Sequence, residues 1–278
     1  TLTCWTGCPV LLTDLLLAVP PVSGLSPDTA LIALLVFVVA FLYASVGHGG
    51  ASGYLAVLSF FGFSRPEMVS SALILNILVA GLSFYAYFKS RHFSWSLSWP
   101  FMVASIPAAF VGGLMKIPPH AYSLLLALTL LFAAIRLSWS PGKPTEDTLG
   151  QDALSQGRKV PFQASLPAGA GIGLLSGMVG VGGGIFLSPL MLLLRWADVR
   201  RTSATAALFI VVNAISGLLG RFVSHNLVVG NLLPLLAAAA VGGWLGAYLG
   251  ATRFSSLTLR RLLAFVLLLA AFKLVVVF

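Results

Sequence analysis

Apolar residues run along this chain in blocks of about twenty, and polar residues fall between the blocks or at two places inside them. Six uninterrupted blocks, 68–88, 98–115, 120–138, 202–223, 228–250 and 256–277, each match the roughly 20 mostly apolar residues that a bilayer-spanning helix needs. Two further apolar stretches, 31–62 and 169–196, are interrupted by glycine runs, Gly47-His48-Gly49-Gly50 in the first and Gly180-Val181-Gly182-Gly183 in the second. A broken apolar segment recurring in both halves of a membrane protein points to a solute site near the midplane. The pattern predicts an all-α polytopic membrane protein.

The two runs lie 133 residues apart, and other matches follow in order. Ser70 pairs with Ser203 and Ser83 with Ser216 at the same offset, Pro100 with Pro234 and Gly112 with Gly246 at 134. Phe132 to Leu137 then matches Leu269 to Leu274 at 137, as small loop insertions would produce. The organisation read from this is an N-terminal peripheral segment 1–30, a first transmembrane repeat 31–138, a linker 139–163 and a second repeat 164–278. The linker is rich in Pro, Gly and charge. Each repeat reads as a Gly-broken re-entrant hairpin, or a pair of short helices, followed by three spans. Residues 31–46 and 51–63 would be helices of about 24 and 20 Å at 1.5 Å per residue, both short of the ~30 Å hydrocarbon core.

Composition agrees: 59% of residues are hydrophobic and 8% charged, against about 25% charged in soluble domains. The net charge of +9 comes from residues between spans, with no basic stripe carrying interleaved aromatics, so nucleic acid is not a predicted partner and membrane lipid is. The distribution of charge also predicts topology. If each broken stretch enters and leaves on one side, Lys89, Arg91, Arg136, Lys143, Arg158, Lys159, Arg195, Arg200, Arg201, Arg253, Arg260 and Arg261 share a side. Arg65, Lys116, Arg221 and Lys273 share the other, a split of 12 against 4; single crossings would give 8 and 8. The positive-inside rule favours the first arrangement. It makes the linker cytoplasmic and the two repeats inverted. Thr1 in place of an initiator methionine reads as a processed or trimmed start, and Val10 to Val19 as a short peripheral helix. Cys4 and Cys8 are free thiols or, in an oxidising compartment, a local disulfide; two cysteines make no structural zinc site.

All seven carboxylates, Asp14, Asp28, Glu67, Glu146, Asp147, Asp152 and Asp198, lie away from the middles of the spans. Cation sites usually rest on buried oxygen anions, so the chain suits an anionic solute better, although carbonyls also bind cations. A helix starting after each break aims N–H groups at it, equivalent to about half a positive charge. The candidate solute-binding residues are Gly47, His48, Gly49, Gly50 and Ser52 at the first break and Gly180, Gly182, Gly183 and Gly184 at the second. Ser71, Asn76, Ser203, Thr205 and Asn213 on the following spans join them, with interhelical hydrogen bonding as their alternative role. The glycines in turn have close helix packing as theirs. His48 has Val181 as its counterpart; it is placed for solute contact or proton coupling, or serves as a hydrogen-bonded structural residue. His92, His120 and His225 fall in loops and receive no role, and Arg65 and Arg195 read as interfacial.

Gly50-Ala51-Ser52-Gly53 resembles the nucleophile motif of rhomboid intramembrane proteases, but no histidine lies inside a later span to serve Ser52. Walker A, His-Glu-x-x-His and dinucleotide fingerprints are absent. No enzyme activity and no metal or organic cofactor are predicted.

Two longer segments carry a further resemblance: Ser45-Val46-Gly47-His48-Gly49-Gly50, and Ser176-Gly177-Met178-Val179-Gly180-Val181-Gly182-Gly183-Gly184. Each precedes an apolar stretch ending in Pro or Arg and a Ser/Thr-rich span start, Val69-Ser70-Ser71-Ala72 and Arg201-Thr202-Ser203-Ala204-Thr205. In this they resemble the TauE/SafE family of bacterial sulfite and sulfonate transporters, over about 31–278. The first half departs in reading His48 and Ala51-Ser52 where a third glycine and a small apolar residue are typical, which leaves the solute open. The resemblance implies a multi-pass secondary transporter of the inner membrane. It would move sulfite, thiosulfate or an organosulfonate, export being the expected direction, by alternating access. An anion channel of the same fold is the alternative; ion coupling and a homodimer are left open.

Overall fold

The computed structural model describes residues 27–115, 161–194 and 196–255, with single residues 258, 261, 262 and 265 beyond. The segment 1–26 with both cysteines, the predicted span 120–138, most of span 256–277, most of the linker, and Arg195 lie outside the described residues.

Among the described residues all regular structure is helical. The first half holds α1 (Pro27–Ser45), α2 (Ala51–Phe60), α3 (Arg65–Lys89) and α4 (Trp95–Leu114). The second holds α5 (Phe162–Val179), α6 (Gly184–Leu193), α7 (Val199–Val223) and α8 (Leu233–Thr252). Six of these, all but α2 and α6, are long and apolar enough to cross a membrane. Large apolar side chains such as Leu34, Val103, Leu219 and Val241 are exposed on them, as contact with lipid requires.

The structure corrects one expectation about the broken stretches. Only the second arm of each is short: α2 and α6 have 10 residues apiece, about 15 Å at 1.5 Å per residue. The first arms, α1 with 19 residues and α5 with 18, are long enough to span. The sequence reading ended the peripheral segment at 30 and the linker at 163, but α1 begins at Pro27 and α5 at Phe162. Proline opens a helix without loss because its missing N–H would be unpaired there anyway, so the polar flavour of Pro27-Asp28 concealed a helix start.

The most extensive packings join the two halves, α4 on α5 and α1 on α8. Lipid tails are as apolar as leucine, so close backbone contact rather than apolar burial drives such pairing. A β-carbon on Gly169, Gly173 or Gly177 of α5 would run into the backbone of Phe101, Ser105 or Ala109 of α4. On α8, Gly242, Gly246 and Gly250 meet Phe37, Phe41 and Ser45 of α1 in the same way. Partner numbers rise together along both seams, so each pair runs parallel. The seams also correspond: Gly112 on the Leu174 carbonyl and Gly246 on the Phe41 carbonyl are the same contact displaced by 133 to 134 residues.

Loops collect at two ends. At one, the Arg200 guanidinium donates to the Phe254 carbonyl at 3.0 Å. Beside it His92 is held below the usual histidine range, first by burial and then by Arg200. Lys89 at the end of α3, Arg91 in the turn into α4, Arg201 in the first turn of α7 and Arg253 just after α8 sit at this end. At the other end the Val228 N–H donates to Ser70 Oγ at 3.3 Å, Glu67 lies against Gly230, and Arg221 donates to the Met178 carbonyl at 3.2 Å.

Candidate solute site at the two breaks

Each break ends on a glycine in the left-handed region, Gly50 at φ 93° and Gly183 at φ 77°, immediately before the short helix. A side chain there is strained whatever space is open. This turn sends α2 back from the top of α1 toward the start of α3, which the four-residue loop 61–64 reaches directly. Ala51, the first residue of α2, accordingly lies beside Asn76 at the middle of α3.

Asn76 ties the breaks together. Fully buried, its Oδ1 accepts from the Ala51 N–H at 3.1 Å and its Nδ2 donates to the Val181 carbonyl at 3.1 Å. One amide thus pairs the first helix turn after break one with the backbone of break two. His48 makes a second link, with Nδ1 3.0 Å from the Val46 carbonyl and Nε2 3.2 Å from the Gly184 carbonyl and 3.3 Å from Ser188 Oγ. Ser203 on α7 makes a third, donating to the Val46 carbonyl at 2.9 Å.

Between these links lies a cavity of about 10 Å³, room for about one water. Tyr43, His48, Gly49, Gly50, Ala51 and Ser52 line it from the first half and Val181, Ile185 and Ile210 from the second. The Tyr43 hydroxyl and Ser52 Oγ pair at 2.8 Å on its wall. Among the described residues, the polar side chains that line it therefore come from the first half. At the offset of 133, Val181 stands for His48 and Ile185 for Ser52.

The predicted residues thus divide. Gly47, His48, Gly49, Gly50, Ser52, Asn76, Gly182, Gly183, Gly184 and Ser203 come together around the breaks. Several of these glycines are also packing positions: a β-carbon on Gly49 would overlap the Asn76 amide, and one on Gly47 the Ser203 backbone. Gly180 faces Val69 of α3. Thr205 accepts from Ser98 of α4 at 3.1 Å, an interhelical tie away from the breaks. Ser71 is buried, and its hydroxyl has no hydrogen-bond partner among the described residues. Asn213 is not the twin of Asn76, because the offset places Phe209 at that position. Its Nδ2 donates within its own helix, to the Phe209 carbonyl at 2.8 Å.

Sequence reasoning missed Tyr43 and Ser188. A signal existed for both, since a hydroxyl inside an apolar stretch needs a partner, and each lies within five residues of its glycine run. No group of three or more His, Cys, Asp or Glu suited to a metal occurs among the described residues.

A helical membrane protein with a buried polar site where two interrupted segments meet belongs, as a class, with membrane transporters. The family model for the sulfite exporter TauE/SafE matches residues 32–274, and the chain belongs to that family. It is 36% identical over 252 residues to the "Probable membrane transporter protein y4hK" of Sinorhizobium fredii (strain NBRC 101917 / NGR234), covering 89% of this chain and 99% of that protein. It is 25% identical over 198 residues to the "Probable membrane transporter protein YunE" of Bacillus subtilis (strain 168), covering 67% and 71%. No solved structure matches significantly.

Proposed function

We propose that this transporter carries a small sulfur-containing anion, sulfite, thiosulfate or an organosulfonate, outward across a bacterial inner membrane by alternating access, and that it is not an enzyme. The observation that carries the reading is the meeting of the two breaks at one cavity, with donors converging and no carboxylate lining it among the described residues. Charge-assisted hydrogen bonds contribute roughly 1.5–3 kcal/mol each, so four or five would offset dehydration of a sulfonate. A cavity of about one water's size holds no such anion. The breaks must part to admit it, and parting them toward one side and then the other is the transport cycle.

The repeats in this reading are inverted. The parallel seams, the five-residue turn 90–94 that reverses the chain between α3 and α4, and the separation of Arg65 and Arg221 from Arg91, Arg200, Arg201 and Arg253 support it. The end bearing the larger group is cytoplasmic. With Cys4 and Cys8 changed to serine, a cysteine at Asn226 is expected to react with an impermeant thiol reagent in intact cells. One at Ser96 should react only after permeabilisation. Equal labelling of both from outside removes the inverted topology.

The solute is tested by titrating purified protein with sulfite, thiosulfate, taurine, sulfoacetate and an aromatic sulfonate, each against chloride. Flux into proteoliposomes should saturate and show counterflow, which a channel of the same fold would not. Tight binding of a cation or neutral solute, with no affinity for any of these anions, overturns the assignment.

A further inference from the structure

Both ring nitrogens of His48 face carbonyl oxygens, Val46 at 3.0 Å and Gly184 at 3.2 Å. A neutral imidazole has one N–H and donates to only one of them. In either tautomer the other nitrogen sets a lone pair against a carbonyl lone pair. Only Ser188 Oγ, 3.3 Å from Nε2, relieves this, and only when the proton is on Nδ1. The imidazolium donates at both nitrogens, one to each carbonyl, beside the bond that the Val46 carbonyl accepts from Ser203. One of those carbonyls belongs to the first break and the other to the first residue of α6, so the charged ring joins the halves more completely than the neutral one. It also places a positive charge on the wall of the cavity.

We propose that His48 is a proton-binding site of the transport cycle. Its protonation latches the first break to α6 and supplies the charge that the anion meets. This rests on the anion-transporter reading above. The proton enters from the side to which the breaks are open, converts imidazole to imidazolium, and leaves as the ring returns to neutral on the opposite side. Anion and proton bound together each raise the affinity for the other, by reciprocity. Val181 occupies the matching place in the second repeat and binds no proton, so the stoichiometry is one. Among the described residues, Tyr43, engaged with Ser52, is the other titratable side chain lining the cavity. Asn76 on α3, Ser188 on α6 and Ile210 on α7 are uncharged, and among the described residues no Lys, Arg, Asp or Glu lines it.

Two measurements test the proposal. In the first, His92, His120 and His225 are replaced by glutamine, the ring of His48 is labelled with nitrogen-15, and the protein is examined in lipid bilayers by solid-state NMR from pH 5 to 8. The expected result is a titration from one protonated nitrogen to two. A ring that stays a single neutral tautomer throughout overturns the proposal, whether or not any anion binds. In the second, wild-type proteoliposomes receive a methanesulfonate gradient, a permanently ionised anion, with a pH dye inside. Proton movement should accompany the anion one for one and fall to the level of empty liposomes in His48→Gln. Proton-linked flux that survives in His48→Gln also overturns it. Absence of flux with every sulfonate instead counts against the solute class, while the NMR titration still decides the proton site.

Discussion

Asn76→Ala is expected to weaken anion binding at least 100-fold and to lower the melting temperature markedly, whereas Asn213→Ala leaves both near wild type. The asymmetry follows from where each amide is spent. Removing Asn76 orphans the Ala51 N–H and the Val181 carbonyl together, and each unpaired buried group costs roughly 1–3 kcal/mol. Both atoms belong to the breaks, so the loss displaces the site as well as destabilising the fold. A 100-fold change corresponds to about 2.8 kcal/mol at 1.4 kcal/mol per factor of ten, within that range. Asn213 donates to its own helix, and its Oδ1 has no hydrogen-bond partner among the described residues, so truncation gives up little. Asn76→Asp should fall between, keeping the acceptor for Ala51 while losing the donor to Val181. Thermal unfolding in detergent and titration with a sulfonate would measure all three. Equal effects at positions 76 and 213 would remove Asn76 from its place as the bridge.

Gly177→Leu and Gly246→Leu are each expected to prevent assembly of the folded protein, while Gly171→Ala is neutral or slightly stabilising. At Gly177 even a β-carbon would overlap the Ala109 backbone, and at Gly246 that of Phe41. The helices must separate, and the lipid-facing surroundings offer no compensating apolar gain. Gly171 sits in the same helix as Gly177 with nothing within 4 Å of a built β-carbon. There, alanine recovers up to about 1 kcal/mol of helix propensity. Membrane-inserted yield and elution as a single species in size-exclusion chromatography read the difference. Normal yields from both leucine variants would mean that the seams are not tightly packed.

Much of the architecture was legible because bilayer and charge constraints act on the sequence directly. A span needs length and apolarity whatever its neighbours are, so α3, α4, α7 and α8 fall where the hydrophobic pattern predicts them. The glycine breaks were legible because two matched runs of Gly inside apolar segments have few other uses, and the resemblance to the TauE/SafE family is carried by those same residues. The starts of α1 and α5 were not legible. Proline and aspartate read as loop residues until the helix that follows them is seen packed along a partner. For Tyr43 the linear pattern shows a hydroxyl in an apolar stretch that needs a partner, but not that the partner is Ser52.

By itself the sequence determined that the chain is helical and membrane-embedded, that two of its apolar stretches are interrupted by glycine runs, and that these interruptions avoid acidic side chains. These are properties of composition and period, and they need no knowledge of which helix touches which. Tertiary structure alone decided that α4 packs on α5 and α1 on α8 across the halves, because parallel seams of small residues are specified by contact rather than by spacing. It also decided that Asn76 and not Asn213 bridges the breaks, and that His48 sets both ring nitrogens against carbonyls from opposite halves of the chain. Hydrogen-bond partners 105 and 136 residues apart leave no local signature, because their geometry exists only once the two halves have closed on each other.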